Sequence, residues 1–312
     1  MQKDTTTSTY IRWVLIHLGI GAGVFVLPLL AKLYAILIVV VGFRYVIRTK
    51  NAENEALYVA AYVVGAEVFL RMTEGNFFEQ YAKYVVMGIL ILGMIYQNFS
   101  RHSWIYWVFG LLLIPGIVLA FFTLNFETDS RKAITFNIIG PITLMISAIY
   151  CYQRKITFKQ VLTIVDMLAY PLMATVVYMF AYTPSIKDVV TNTESNFETS
   201  GGYGPNQVST ILGLGIFLFF VKIILQSKST KMMVINVVFF LAITFRGIVT
   251  FSRGGVIAGF IMIILVVLLL LIYTKTYAKS KVGLVVFMGF FALVGVWTYS
   301  SVQTSGLIDK RY

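Results

Sequence analysis

The stretch "VTFSRGGVIAGFIMIILVVLLLLIY", residues 249–273, contains an apolar run that is long enough to cross a lipid bilayer. A transmembrane helix needs about 20 consecutive, mostly apolar residues. The run opens with Ser252, Arg253, Gly254 and Gly255, and it carries no charge beyond Arg253. An apolar helix needs neither a charge nor a glycine at its first turn. The stretch therefore predicts a transmembrane helix over residues 253–273. It also raises the question of what Arg253 does at the N-terminal end of this helix.

The composition extends this prediction to the whole chain. Of its 312 residues, 59% are apolar and 12% are charged, whereas a soluble domain has about 25% charged residues. One globular core could not bury so many apolar side chains, so lipid must surround most of the chain. We predict an all-α, polytopic transmembrane helical bundle, a single domain over residues 1–312 with about eleven spans. The predicted spans are 13–31, 33–48, 57–71, 83–98, 104–123, 133–151, 159–182, 208–226, 232–249, 253–273 and 282–300.

The charges in the loops predict how the spans are oriented. The segments "QRKITFK" (153–159), "QSKSTK" (226–231) and "YTKTYAKSK" (273–281) are basic and contain no acidic residue. Short loops rich in Lys and Arg face the cytoplasm, so alternation places the N-terminus there as well. The net charge of +12 then reflects topology and attraction to anionic membrane lipid rather than to nucleic acid.

The longest polar stretch is the loop at residues 183–209, which this orientation places outside the membrane. It ends in "SGGYGPNQ", where glycines permit unusual backbone angles and Pro205 fixes a turn. Asn206 is a candidate N-cap for the next helix. The functional interpretation is a loop that bends back over the membrane and lines a polar site with Tyr203, Asn206 and Gln207. The alternative is a long connector with ordinary turn chemistry.

Arg253 lies, by the same alternation, at the outer end of its helix. The first N–H groups and the positive end of the helix dipole also point outward there, so a cation is disfavoured at this position unless an anion binds. Ser252 is a candidate N-cap, Gly254 and Gly255 would let another group approach the backbone, and Arg246 could reach the same zone. This pattern predicts a phosphate site. The alternative is that Arg253 only anchors the helix by extending toward the lipid headgroups.

The same residues resemble a known family. "TFSRGGVIAGFIMIILVVLLL" resembles the signature helix of the superfamily of O-antigen ligases and O-antigen polymerases, which are bacterial membrane glycosyltransferases. "GPNQVSTILGLGIFLFF" is similar to the Pro-Asn segment of that family, and "SGLIDKRY" is similar to the lead-in to its large periplasmic loop. The resemblance covers residues 200–312, and the first 200 residues fit only as hydrophobic spans.

The resemblance implies a GT-C-like fold and a metal-independent glycosyl transfer, without a cofactor, at the periplasmic face of the bacterial inner membrane. The donor would be a glycan on undecaprenyl diphosphate, and the acceptor would be a glycan or a lipid. Arg253 would bind the donor diphosphate and act as the catalytic residue. On the residue patterns described above, the residues expected to contribute to substrate binding are Ser252, Gly254, Gly255, Arg246, Asn206, Gln207 and Tyr203. Membrane lipid and other polysaccharide-assembly proteins are the expected partners.

The chain also departs from this family. Its members carry a second arginine, and the ligases a histidine, in or after the large loop, whereas both histidines here, His17 and His102, lie elsewhere. We therefore expect residues 301–312 to begin a larger periplasmic loop that is truncated. Two other functions stay open, namely a transporter or flippase for a lipid-linked glycan and a non-catalytic membrane component of polysaccharide assembly.

Overall fold

A computed structural model of the chain describes residues 2–123, 129–273 and 276–312, without the side chains of residues 2–6, 130, 131, 276–282, 284 and 285. Part of the basic segment 273–281 thus lies outside the described residues. No strand occurs within the described ranges, which agrees with the predicted all-α class. The helices are α1 (Gln2–Val26), α2 (Leu29–Thr49), α3 (Glu55–Met72), α4 (Tyr81–Gln97), α5 (Trp104–Thr123), α6 (Ser130–Cys151), α7 (Phe158–Tyr182), α8 (Pro205–Val221), α9 (Thr230–Ile248), α10 (Arg253–Tyr273), α11 (Thr276–Gln303) and α12 (Leu307–Arg311).

Nine helices within the described part of the chain are long and apolar enough to cross a membrane. The chain is therefore a multi-pass membrane protein by the length and composition of its helices. Two predicted spans fall outside these nine. The third corresponds to α3, which contains Glu55, Glu67 and Arg71, and the fourth corresponds to α4, which has only 17 residues.

The bounds of the helices agree with the predicted spans best where the apolar run is continuous. Helices α5 and α10 begin and end at the predicted residues, 104–123 and 253–273. The prediction was wrong for the first span, because α1 runs from Gln2 to Val26 and a break separates it from α2. Pro28 lies in this break, and proline disfavours a helical conformation at the residue before it.

The chain divides into two compact units by its backbone contacts, and each unit is built from separate stretches of sequence. The first consists of Met1–Ala31, Val68–Gly75 and Leu168–Tyr312, and the second of Lys32–Glu67 and Asn76–Met167. All the candidate site residues belong to the first unit.

In the second unit, Arg154 joins three connecting segments. Its guanidinium donates to the carbonyl of Tyr150 at 2.8 Å, to Asn54 Oδ1 at 3.2 Å and to the carbonyl of Asn98 at 2.8 Å. Helices leave their last carbonyl groups without partners, and α4 and α6 end next to these residues. Arg154 therefore supplies hydrogen-bond donors at the C-terminal ends of α4 and α6.

In the first unit, glycines bring α8 and α10 into backbone contact. A Cβ atom on Gly255 would lie 2.1 Å from the carbonyl oxygen of Ser209, and one on Gly213 would lie 1.9 Å from the carbonyl oxygen of Gly255. Gly259, one turn further along α10, faces Gly213 in the same way. Small residues permit such close approach between membrane helices. This contact fixes the first turn of α10 against α8.

Candidate anion-binding site

The site is built around the turn between α9 and α10, residues 249–252, which is buried. Phe251 in this turn is fully buried and has a left-handed backbone, with φ of 59°. Three other segments donate hydrogen bonds to the carbonyl groups of the turn. The N–H of Asn196 donates to the carbonyl of Thr250 at 3.2 Å, and the hydroxyl of Ser209 donates to the carbonyl of Ser252. Nε of Arg311 donates to the carbonyl of Phe251 at 3.0 Å.

Arg253 is the first residue of α10, and its side chain is exposed. Its Nη1 donates to the carbonyl of Arg311 at 3.0 Å, and Arg311 in turn donates to the carbonyl of Phe251. Two guanidinium groups are thus held on main-chain acceptors beside the N-terminal end of α10. Sequence reasoning could not assign Arg311 to the site, because its partners lie 58 and 60 positions away along the chain.

Ser252 lies immediately before α10, and its hydroxyl donates to Asn206 Oδ1 at 2.9 Å. The structure thus brings Ser252, Arg253 and Asn206 together. The role of Ser252 as the N-cap residue stays a prediction.

The two glycines after Arg253 differ in their surroundings. A Cβ atom on Gly254 would meet no atom within 4 Å, and this residue is exposed. Gly255 instead faces the backbone of α8 at Ser209. The prediction that Gly255 leaves room for a ligand is therefore wrong, because the space beside it is occupied by a neighbouring helix. Gly254 is the glycine that leaves the backbone open.

The start of α8 differs from the prediction. Gly204 is the N-cap and Pro205 is the first helical residue, so the prediction of Asn206 as N-cap is wrong. Proline suits the first helical position because its missing N–H would have no partner there. Asn206 therefore sits within the first turn, from which its side chain accepts the hydrogen bond from Ser252.

Tyr203 and Gln207 do not share the contacts of Asn206. The hydroxyl of Tyr203 accepts a hydrogen bond from Arg71 Nη1 at 3.2 Å, so this ring is linked to the end of α3. Gln207 is exposed and its side chain lies beside Gly204. Arg71 is thus a further cation of the loop region.

Arg246 does not share the surroundings of Arg253. Its side chain is fully buried in the last turn of α9. The guanidinium donates to the carbonyl groups of Met179 at 2.8 Å, Thr199 at 3.1 Å and Thr183 at 3.3 Å, and it lies 5.2 Å from the ring centroid of Phe180. The prediction of Arg246 as a phosphate ligand is therefore wrong. This arginine fastens the end of α7 and the loop after it to α9.

The loop between α7 and α8 is fastened by hydrogen bonds within itself and to the turn. The side chain of Asn196 donates to the carbonyl of Val189 at 3.0 Å and accepts from the N–H of Thr199 at 3.0 Å. Gly201 and Gly202 adopt the left-handed angles expected of turn glycines, with φ of 70° and 76°. The loop thus combines ordinary turn chemistry with a direct bond to the turn before Arg253.

The arrangement suits an anion. Two guanidinium groups, an open glycine and the first N–H groups of α10 lie in one region, and helix N-termini and arginines both bind phosphate. Within the described ranges, no group of three or more His, Cys, Asp or Glu side chains comes together that could hold a metal ion. No family model, no curated protein and no solved structure matches this chain.

Proposed function

We propose that the chain is a multi-pass glycosyltransferase of the bacterial inner membrane. It would polymerise or ligate a glycan that is carried on undecaprenyl diphosphate, at the periplasmic face, with a GT-C-like fold. The observation that carries the proposal is the pair of guanidinium groups of Arg253 and Arg311, which are held on main-chain carbonyls at the start of α10.

The chemistry of glycosyl transfer explains why such a pair would be useful. When the bond between the sugar and the diphosphate breaks, negative charge grows on the departing diphosphate. Cations and N–H groups that are fixed before the reaction stabilise this charge without reorganising. Each guanidinium donates one N–H group to a main-chain carbonyl. Since a guanidinium has five N–H donors, others are available for phosphate oxygens.

The remaining roles follow from the positions of the residues. Ser252 and Asn206, joined by a hydrogen bond, would shape the edge of the site, and Gly254 would let a phosphate approach the N–H groups of the first turn. The acceptor is another lipid-linked glycan or a lipid. Other polysaccharide-assembly proteins are the proposed partners.

One observation favours the alternative function of a lipid-glycan transporter. Lys222, at the start of the π-helical turn Lys222–Gln226, is almost fully buried, and its Nζ donates to Gln226 Oε1 at 3.2 Å. Ionisable residues within membrane spans and π-helical turns often mark functional sites. Lys222 lies near one end of the apolar segment Pro205–Gln226, however, whereas transporters bind their substrates near the middle of the membrane.

The proposal is tested with Arg253→Ala in the full-length protein. Loss of one charged hydrogen-bond donor costs about 1.5–3 kcal/mol, so the affinity of the purified protein for undecaprenyl diphosphate should fall by roughly 10- to 100-fold. Glycan transfer in membranes should be lost. Arg101→Ala is the matched control, because Arg101 is also exposed but belongs to a segment predicted on the cytoplasmic side. Unchanged binding in Arg253→Ala would refute the proposed role.

A further inference from the structure

The C-terminal end of α11 and the short helix α12 bring together two aromatic side chains and one carboxylate. Nε1 of Trp297 donates to Asp309 Oδ1 at 2.9 Å, and the hydroxyl of Ser301 donates to Asp309 Oδ2. The rings of Trp297 and Tyr312 meet edge to face, with centroids 5.5 Å apart. Asp309 is exposed and Trp297 is half-buried, so the cluster is accessible.

These contacts leave free the groups that recognise a sugar. A carboxylate has about four acceptor positions, and among the described residues Trp297 and Ser301 use two of those of Asp309. The N–H of Trp297 is already bonded and its ring contacts Tyr312, so what the half-buried indole still offers is the exposed part of its face, whose negative potential attracts the C–H groups of a pyranose ring.

Tyr312 adds a neutral hydroxyl. Burial raises the pKa of Tyr312 to about 12, although the charges of Arg311 and Arg253 act in the opposite direction. The phenol is therefore protonated at neutral pH and can both donate and accept a hydrogen bond.

The cluster adjoins the proposed diphosphate site through α12. Asp309 and Arg311 are two residues apart in this helix, so their side chains leave it in different directions. The link is Tyr312, whose ring contacts Trp297 and whose hydroxyl is influenced by the charges of Arg311 and Arg253. The carbonyl of Arg311 is the acceptor for Arg253. A diphosphate at Arg253 would therefore have its first sugars close to Tyr312 and to the Trp297 ring that Tyr312 contacts.

We propose that Trp297, Asp309 and Tyr312 form a pyranose-binding platform for the glycan that is attached to the diphosphate. The inference rests on the proposed function, since the platform would bind the glycan of the lipid whose diphosphate binds at Arg253. A pyranose stacks on the indole face, and two of its hydroxyl groups donate to Asp309.

The test compares two lipids in binding to the full-length protein in lipid nanodiscs. The probes are undecaprenyl diphosphate and undecaprenyl diphosphate carrying one N-acetylglucosamine. The stacking contact and the hydrogen bonds to Asp309 act together, and a net gain of about 1 kcal/mol means that the protein should bind the lipid with the sugar roughly fivefold more tightly. Trp297→Leu and Asp309→Asn should each remove most of this difference while affinity for the lipid without sugar stays within about twofold.

Two controls separate recognition from folding. Asp309→Asn keeps an oxygen that can accept from Trp297, so α12 should stay attached to α11 and the thermal unfolding temperature should be unchanged. Trp104→Leu removes another exposed tryptophan, from the start of α5, and should preserve the fivefold difference.

Each outcome has a separate meaning. Equal affinities of the unsubstituted protein for the two lipids would overturn the platform, and so would an Asp309→Asn variant that loses affinity for both lipids equally. Arg253→Ala should weaken both lipids and keep their ratio. If Arg253→Ala left both affinities and their ratio unchanged, the proposed diphosphate site would be wrong and the platform would stand. The two proposals can therefore fail independently.

Discussion

At the scale of the residue, Arg246 shows how a buried cation is satisfied by neutral groups. Three carbonyl groups accept its hydrogen bonds, while its Nε has no partner among the described residues. In Arg246→Met, the carbonyls of Thr183 and Thr199 would lose this donor. An unsatisfied buried carbonyl costs about 1–3 kcal/mol, and the relief from burying a charge offsets part of this loss. We expect the free energy of unfolding to fall by about 2 kcal/mol, measured by denaturation in detergent.

Arg253→Met provides the comparison, because its exposed side chain makes one hydrogen bond and should change the same quantity by less than about 1 kcal/mol. An Arg246→Met protein as stable as the unsubstituted one would mean that the cost of burying the charge equals the gain from its bonds.

The sequence could not distinguish these two arginines. Both lie near the predicted outer ends of apolar helices, seven positions apart. Arg246 is buried because the end of α7 and the loop after it supply carbonyl groups from 47 to 67 positions away. The prediction of Arg253 as a site residue rests on helix polarity, which is a local property, whereas its hydrogen bond to Arg311 joins positions 58 apart in the chain.

At the scale of the element, substitutions of two adjacent glycines should affect the contact between α8 and α10 differently. In Gly255→Ala the added methyl group would lie 2.1 Å from the carbonyl of Ser209, so the helices must move apart. Overpacking of this kind costs about 1–3 kcal/mol. Gly254→Ala adds the same atom where nothing lies within 4 Å, and it should be neutral or stabilise the helix by up to about 1 kcal/mol. Thermal unfolding of the two variants measures the difference, and equal unfolding temperatures would contradict the contact.

The elements themselves were predictable to different degrees. The bounds of α10 follow from an uninterrupted apolar run, because length and hydropathy are enough to define it. The role of Gly255 was not predictable, since a glycine that admits a ligand and one that admits a helix have the same sequence pattern. The break at Pro28 carried a local signal in the proline itself, which the apolar run around it obscured.

At the scale of the whole molecule, the property to test is the orientation of the chain in the membrane. The predicted orientation puts residues 153–159 in the cytoplasm and the loop 183–204 outside. Both Ile156 and Ser195 are exposed, and Cys151 is the only cysteine of the chain. In a Cys151→Ser background, a membrane-impermeant maleimide should label Ser195→Cys in intact spheroplasts. It should label Ile156→Cys only after the membrane is permeabilised. The reverse pattern would invert the orientation and place Arg253 on the cytoplasmic side.

The acceptors of Arg253 and Arg311 are carbonyl oxygens, which carry no net charge. Neither guanidinium is neutralised by its partner, so the positive potential of both extends into the surrounding water. Its range follows the Debye length, which shortens from about 30 Å at 0.01 M salt to about 10 Å at 0.1 M. Such a field accelerates the encounter with an anion more than it prolongs the bound state. Under the proposed function, the rate at which the protein captures a lipid diphosphate would therefore depend on the ionic strength of the surrounding water.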